Sequence, residues 1–197
     1  MSRSVILCLS HLEVVIDPET PVPQWRLSPT GRSRILAARE APWLQACRRI
    51  VTSGETKAVE TAALIAGATG AAIEVREAMH ENDREATGFL PPAEFETVAD
   101  AFFAEPHRSV RGWERAIDAQ ARIVAELDAV VATQPAGEPL LLVGHGGVGT
   151  LLYCALTGQA IDRRLDQPRA GSVFAVDRET RAALFGWTPL ENATLEL

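Results

Sequence analysis

Apolar residues fall along this chain in short unbroken blocks separated by polar, proline- or glycine-bearing stretches. Val5-Ile6-Leu7-Cys8-Leu9 and Leu140-Leu141-Leu142-Val143 are the clearest of them. Blocks of this length, without alternation, predict strands buried on both faces. The pattern predicts strands over residues 4–9, 49–52, 72–75, 139–143, 171–176 and 182–187. The last two lie at hairpin spacing around residues 177–181. Between the strands the period changes to that of a helix. Ser28-Pro29-Thr30 opens one helix, with proline in the first turn where its missing N–H does no harm. Residues 55–68 form a second, stopped by Gly67 and Gly70. Pro91-Pro92 starts a third that runs to about residue 104. Residues 112–132 carry Ile117, Val124, Leu127 and Val131 at helical spacing, and residues 147–156 form a last helix. Residues 11–27, with Pro18, Pro21 and Pro23, are a long loop, and long loops are often functional. Strands alternating with helices imply an α/β domain, with helices covering both faces of a largely parallel sheet. The chain of 197 residues suits one such domain, 1–197, better than two.

Composition narrows the partners. The formal net charge of −7 argues against nucleic acid or an anionic membrane as the main partner. No apolar run approaches the ~20 residues of a membrane span. Cys8, Cys47 and Cys154 are odd in number and lie in apolar segments, so they read as free buried thiols of a reducing compartment. No Cys-x-x-Cys pair suggests zinc, and no metal site is expected. The chain enters strand-like sequence at once, without a charged-then-apolar leader, and a cytoplasmic protein is the expectation.

Chemistry concentrates at the ends of strands. In Leu142-Val143-Gly144-His145-Gly146-Gly147 a strand runs through a histidine and glycines into a helix. Ligands of open α/β sheets sit at such strand ends, and the amides of a helix start, Gly146 first, favour an anion there. His11 stands at the matching junction after the first strand. Either histidine alone also reads as a structural residue, but the two together point to a site. Gly144, Gly146 and Gly149 match a dinucleotide fingerprint as well, with Asp166 near the distance of its acidic residue. Gln159-to-Pro168 makes a poor strand, however, and little chain follows. His145-Gly146-Gly147 could line a hydrolase oxyanion loop, but no Gly-x-Ser-x-Gly nucleophile elbow is present. Lys57 falls in the first turn of a helix, where a cation is misplaced unless it meets an anion: a ligand, or Glu55 or Glu60. In the polar stretch after residue 76, Glu77, Glu81, Asp83 and Glu85 are candidate proton donors, or simply a solvated loop.

In this order the blocks resemble the histidine phosphatase superfamily. Leu9-Ser10-His11-Leu12-Glu13 stands where that family has a strand and Arg-His-Gly-Glu. Thr52-Ser53-Gly54-Glu55-Thr56-Lys57-Ala58-Val59-Glu60-Thr61-Ala62 is similar to its Ser-Ser-Pro-x-x-Arg-Ala-x-x-Thr-Ala block. Val143-Gly144-His145-Gly146-Gly147 is similar to its Ser-His-Gly-Gly turn. The turn before Gly31, the helix entered from Arg111-Gly112-Trp113-Glu114 and the strand around Phe185-Gly186-Trp187 extend the likeness over nearly the whole chain. The resemblance implies a phosphoglycerate mutase-like three-layer α/β/α sandwich. It implies a metal-independent phosphomonoester hydrolase without cofactor, acting on a small phosphorylated substrate. His11 stands at the nucleophile position and His145 at the second histidine. Lys57 and Ser10 stand at the two phosphate clamps, and Glu81 at the acid.

Three departures from the family bear on the phosphate site. Ser10 and Lys57 replace the two clamp arginines, and Leu12 replaces the glycine after the nucleophile, where it narrows the approach or bends the loop. Arginine grips phosphate with a planar fork, whereas lysine is a point charge and serine a single neutral donor. Loss of one buried charge contact costs about 2–5 kcal/mol. The alternatives are therefore a weakened enzyme, with a cation moved in from Arg26, Arg84 or Arg111, and an inactive relative that binds a phosphorylated ligand or partner. Mutase activity is the lesser expectation, because nothing visible encloses the pocket.

Overall fold

The computed structural model describes residues 4–196. Six strands form one sheet: β1 (Val5–Ser10), β2 (Arg49–Thr52), β3 (Ala72–Val75), β4 (Leu140–Gly144), β5 (Ser172–Asp177) and β6 (Ala183–Pro189). Their order is β3-β2-β4-β1-β5-β6. The first four in that order run parallel, β5 runs antiparallel to β1, and β6 runs antiparallel to β5. All six lie within two residues of the expected positions.

Pleating divides the central strands between two cores. Val5, Leu7 and Leu9 of β1, Ile50, Leu141, Val143 and Val173 face one side. There they meet α1 (Pro29–Ala38), α2 (Pro42–Ala46) and α3 (Thr56–Thr69) through Ile35, Trp43, Leu44, Ala58, Ala62 and Ile65. Ile6, Cys8, Val51, Leu140, Leu142 and Phe174 face the other side. They pack on α5 (Ala116–Val131) and α6 (Gly146–Leu156) through Ile123, Leu127, Val148 and Leu152. This is the three-layer α/β/α arrangement, and burial on both faces explains why β1 and β4 read as continuous apolar blocks. Beyond α5, α4 (Pro92–Ala104) adds a third cluster built on Phe102, Phe103 and Trp113.

Local chemistry sets the boundaries. Ser28 caps α1 by accepting from the Gly31 amide, with Pro29 in the first turn. Gly70, at φ +70°, ends α3 in the left-handed conformation. Helix α5 begins at Ala116 rather than near 112, because Arg111 and Gly112 both have positive φ and form a separate turn. Helix α2 was not expected. It is one short turn-and-a-half behind Pro42, and its fully buried Trp43 and Leu44 hold it by packing rather than by periodicity. The expected long loop contains a 3-10 turn at Val22–Gln24 and a bridge between Val14 and Leu27.

Candidate active site

The parallel strands bring their carboxyl ends to one edge, and the histidines meet there. His11 follows β1 and His145 follows β4, its paired neighbour. The His11 amide donates to the Gly144 carbonyl at 2.8 Å, which sets the two junctions level. Their rings lie edge to face with centroids 5.4 Å apart.

The environment fixes the state of each ring. His11 Nδ1 lies 2.8 Å from the Leu12 carbonyl, which can only accept. The neutral ring therefore carries its proton on Nδ1 and leaves Nε2 as a free lone pair. Burial, then His145 and Lys57, push the His11 pKa down to about 3, so the ring stays neutral across the physiological range. His145 is buried, and that burial holds its pKa below the ordinary value against the pull of Glu55 and Glu81. Its Nε2 is 2.7 Å from Ser53 Oγ and 3.4 Å from Glu55 Oε1, while its Nδ1 has no hydrogen-bond partner. A carboxylate beside Nε2 favours the tautomer with its proton there, where it can serve as a donor.

The first turn of α6 forms the floor. The Glu81 carboxylate accepts from the Gly147 amide at 3.1 Å and the Val148 amide at 2.7 Å. It thus caps α6 in place of a side chain at His145, which makes no cap bond. The Gly146 amide takes no partner among the described residues. Burial disfavours ionisation of Glu81, but His145, Arg84 and the Val148 amide hold its carboxyl below the usual range. Of the other candidate acids, Glu77 packs against Gly54, whereas Asp83 and Glu85 are exposed.

The clamp positions are engaged from within. Lys57 is buried, and its ammonium pairs with Glu55 and donates to the Val22 carbonyl at 2.9 Å. The anion that its helix position calls for is Glu55, not Glu60, which pairs with Arg26 and Arg32. Ser10 is fully buried, and its hydroxyl donates to Gln167 Oε1 while accepting from the Gly171 and Ser172 amides at 3.1 and 3.2 Å. Gln167 in turn lies so close to α6 that a Cβ on Gly146 would collide with its Nε2. A glutamine amide thus fills the space between Ser10 and the helix start. Of the two expectations for Leu12, that it narrows the approach to His11 or that it bends the loop, the first does not hold. Leu12 is fully buried in the core, packed over Gly171, whose φ of +71° and missing side chain make the room.

Among the three arginines considered as replacements, Arg26 pairs with Glu60 and Arg111 with Glu94. Arg84 makes no ion pair among the described residues. Its guanidinium lies over Phe95 and Trp113, 5.1 and 5.6 Å from the ring centres. It is close enough to act on the charges of both Glu81 and His145. Asp166 bonds the Thr150 hydroxyl at 2.8 Å from a loop, not a strand end, and the strand after α6 is antiparallel to β1. The βαβ unit that a dinucleotide site requires is absent there.

Sequence reasoning missed Glu55, Ser53 and Gln167 as members of the site. Glu55 carried a usable signal, since it sits two residues before a lysine in a helix's first turn. Gln167 carried none, because only the fold brings its loop back against β1.

The described residues contain no group of three or more histidine, cysteine, aspartate or glutamate side chains placed to hold a metal, and no helix long and apolar enough to cross a membrane. No curated protein matches the chain significantly. Among solved structures, the mycobacterial glucosyl-3-phosphoglycerate phosphatase is similar at a TM-score of 0.78 and 20% identity, over 98% of this chain and 100% of that one. Its complex with inorganic phosphate is similar at 0.76 and 22%, over 97% and 98%. Bacillus stearothermophilus YhfR is similar at 0.75 and 23%, over 91% and 94%. The model of the histidine phosphatase superfamily, branch 1, matches residues 20–183, a span that holds Lys57, Glu81 and His145 and begins after His11. With its sheet, its facing histidines and that match, the chain belongs to the histidine phosphatase superfamily.

Proposed function

We propose that the protein is a metal-independent phosphomonoester hydrolase that works through a phosphohistidine at His11. The observation that carries this reading is the pinned tautomer: Nδ1 on the Leu12 carbonyl, Nε2 unprotonated, and His145 across a 5.4 Å ring separation. A neutral imidazole with one free lone pair is a competent nucleophile at neutral pH.

The steps follow from that geometry. His11 Nε2 attacks phosphorus, a P–N bond forms, and the ester P–O bond breaks in line. His145 Nε2–H, the Gly146 amide and the ammonium of Lys57 are the donors for the phosphoryl oxygens. The leaving alkoxide takes a proton from a carboxylic acid, and water then attacks the phosphohistidine to release phosphate and restore His11. Glu81 is the acid we favour. It is ionised in the free site, and an anionic ester arriving beside it raises its affinity for a proton. In the second step the same carboxylate accepts the proton of the attacking water. Arg84 is the cation we assign to the mouth of the site, partly replacing what Ser10 and Lys57 lack.

The substrate class is a small phosphoester. The mycobacterial relative is named for a sugar-linked phosphoglycerate, but nothing in the pocket here selects that compound. Cys8, Cys47 and Cys154 are buried free thiols, which supports a reducing, cytoplasmic setting. A second reading, phosphate binding without turnover, is favoured by one observation: both clamp side chains already have internal partners. Hydrolysis of an aryl phosphate without added metal, compared with His11→Ala, separates the two. Turnover that the variant abolishes supports the enzyme. Turnover unchanged in the variant excludes this mechanism, and phosphate binding without turnover in the parent favours the second reading.

A further inference from the structure

Glu55 is the group that a phosphate site has least reason to contain. Its side chain is about 10% exposed, it pairs with Lys57, and its Oε1 lies 3.4 Å from His145 Nε2 and 2.9 Å from the Glu81 amide. A carboxylate thus already occupies the cationic side of the pocket, on the same donors that would meet phosphoryl oxygens. The groups facing it are Lys57 in the first turn of α3, His145 at the start of α6 and Glu81 in the segment after β3. Arg84 acts on the last of these and on His145. With both histidines neutral, the charges are Lys57 and Arg84 against Glu55 and Glu81. The cavity is therefore near neutral, whereas two clamp arginines and no Glu55 would leave it strongly positive. Glu55 itself stays charged: burial opposes ionisation, but the Lys57 ammonium and the Glu81 amide hold its carboxyl below the usual range.

We propose that Glu55 is a specificity-determining residue, an internal counter-anion that makes this site take singly charged phosphoesters in preference to doubly charged ones. The proposal rests on the phosphatase reading of the same site. A second negative charge on the ligand gains little from Lys57, because Glu55 already neutralises it, and it is repelled by Glu55 at close range. Loss of one proton from the ligand is thus a loss of affinity here, the reverse of what a two-arginine clamp gives.

Inorganic phosphate and sulfate, titrated by calorimetry near pH 5.5 and pH 8, test this directly. Phosphate passes from mainly singly to mainly doubly charged over that range, whereas sulfate stays doubly charged and reports on titration of the protein. Wild type is expected to prefer phosphate over sulfate several-fold more strongly near pH 5.5 than near pH 8, up to the roughly tenfold fall in the singly charged fraction of phosphate. Glu55→Gln keeps an acceptor for the Glu81 amide and removes the charge. It is expected to bind phosphate near pH 8 at least about tenfold tighter than wild type. Glu40→Gln, which removes an exposed charge outside the pocket, is expected to match wild type. A phosphate-to-sulfate preference in wild type that does not change with pH overturns the proposal without any variant, as does unchanged affinity in a folded Glu55→Gln. Phosphate binding with either of those results leaves the phosphatase reading intact. No binding of phosphate by wild type or variant at either pH overturns both.

Discussion

The imidazoles of His11 and His145 stand edge to face, 5.4 Å between centroids, at the ends of two hydrogen-bonded parallel strands. The register that pairs Ser10 with Gly144 makes the meeting obligatory. One ring is pinned through Nδ1 to a carbonyl, and the other has Nε2 beside a carboxylate. The pair is asymmetric: His11 Nε2 carries a free lone pair, and His145 Nε2 carries an N–H that meets Ser53 and Glu55.

That asymmetry sets the first expectation. His11→Ala lowers phosphate release from an aryl phosphate by at least about a thousandfold, because the nucleophile is gone. Steady-state hydrolysis with and without the substitution measures it.

Glu81 gives the second. Its role as acid matters most when the leaving alcohol is poor. Glu81→Gln slows hydrolysis of an alkyl phosphate by about a hundredfold or more, and of a nitrophenyl phosphate clearly less. Equal losses for both substrates contradict the assignment and leave Glu81 only its place on the Gly147 and Val148 amides.

Ser10 gives the third. An arginine there meets Gln167, which already fills the space up to Gly146. Ser10→Arg alone therefore destabilises the fold by about 2–5 kcal/mol, through overpacking and a buried charge without a partner. Combination with Gln167→Gly restores room, recovers much of that stability and raises turnover above the parent. Thermal unfolding and aryl phosphate hydrolysis of the single and double variants test this, and a stable, activated single variant argues against it.

Acid stability follows from two depressed pKa values. His11 falls from 6.5 to about 3 and Glu55 from 4.5 to about 2 on folding. In both cases the unfolded chain binds more protons than the native one, so stability rises with pH. The His11 contribution is complete above about pH 6.5 and is lost as pH falls toward 3; that of Glu55 is lost between about pH 4.5 and 2. His11→Gln is expected to flatten the decline of melting temperature between pH 6.5 and 4.

Gly171 tests the local packing. It combines a φ of +71° with a site where a Cβ would collide with the buried Leu12. Gly171→Ala is expected to cost about 2–4 kcal/mol from left-handed strain plus overpacking, visible as a fall of several degrees in melting temperature.

Much of this was legible in the chain, for a physical reason. β1 and β4 are buried on both faces, so their apolar blocks mark both their place in the sheet and the junctions that hold His11 and His145. Lys57 in a first turn announced an anion, and Glu55 is that anion. What stayed hidden depends on contacts between distant segments. Gln167 reaches Ser10 across 157 residues, and Trp43 fixes α2 by burial alone. Leu12 looked like an obstruction because its direction is decided by Gly171, far along the chain. The acidic stretch offered four carboxylates of similar appearance, and only the fold sets Glu81 on the first turn of α6.

The most direct measurement is chemical trapping of the intermediate. The protein is mixed with a labelled aryl phosphate without metal, quenched in alkali within the first turnover, and mapped for the modified residue. Phosphate that is stable in alkali, labile in acid and located on His11, absent from His11→Ala, is the predicted result. Turnover with no such adduct, or with the label on another residue, contradicts the central claim that His11 is the nucleophile.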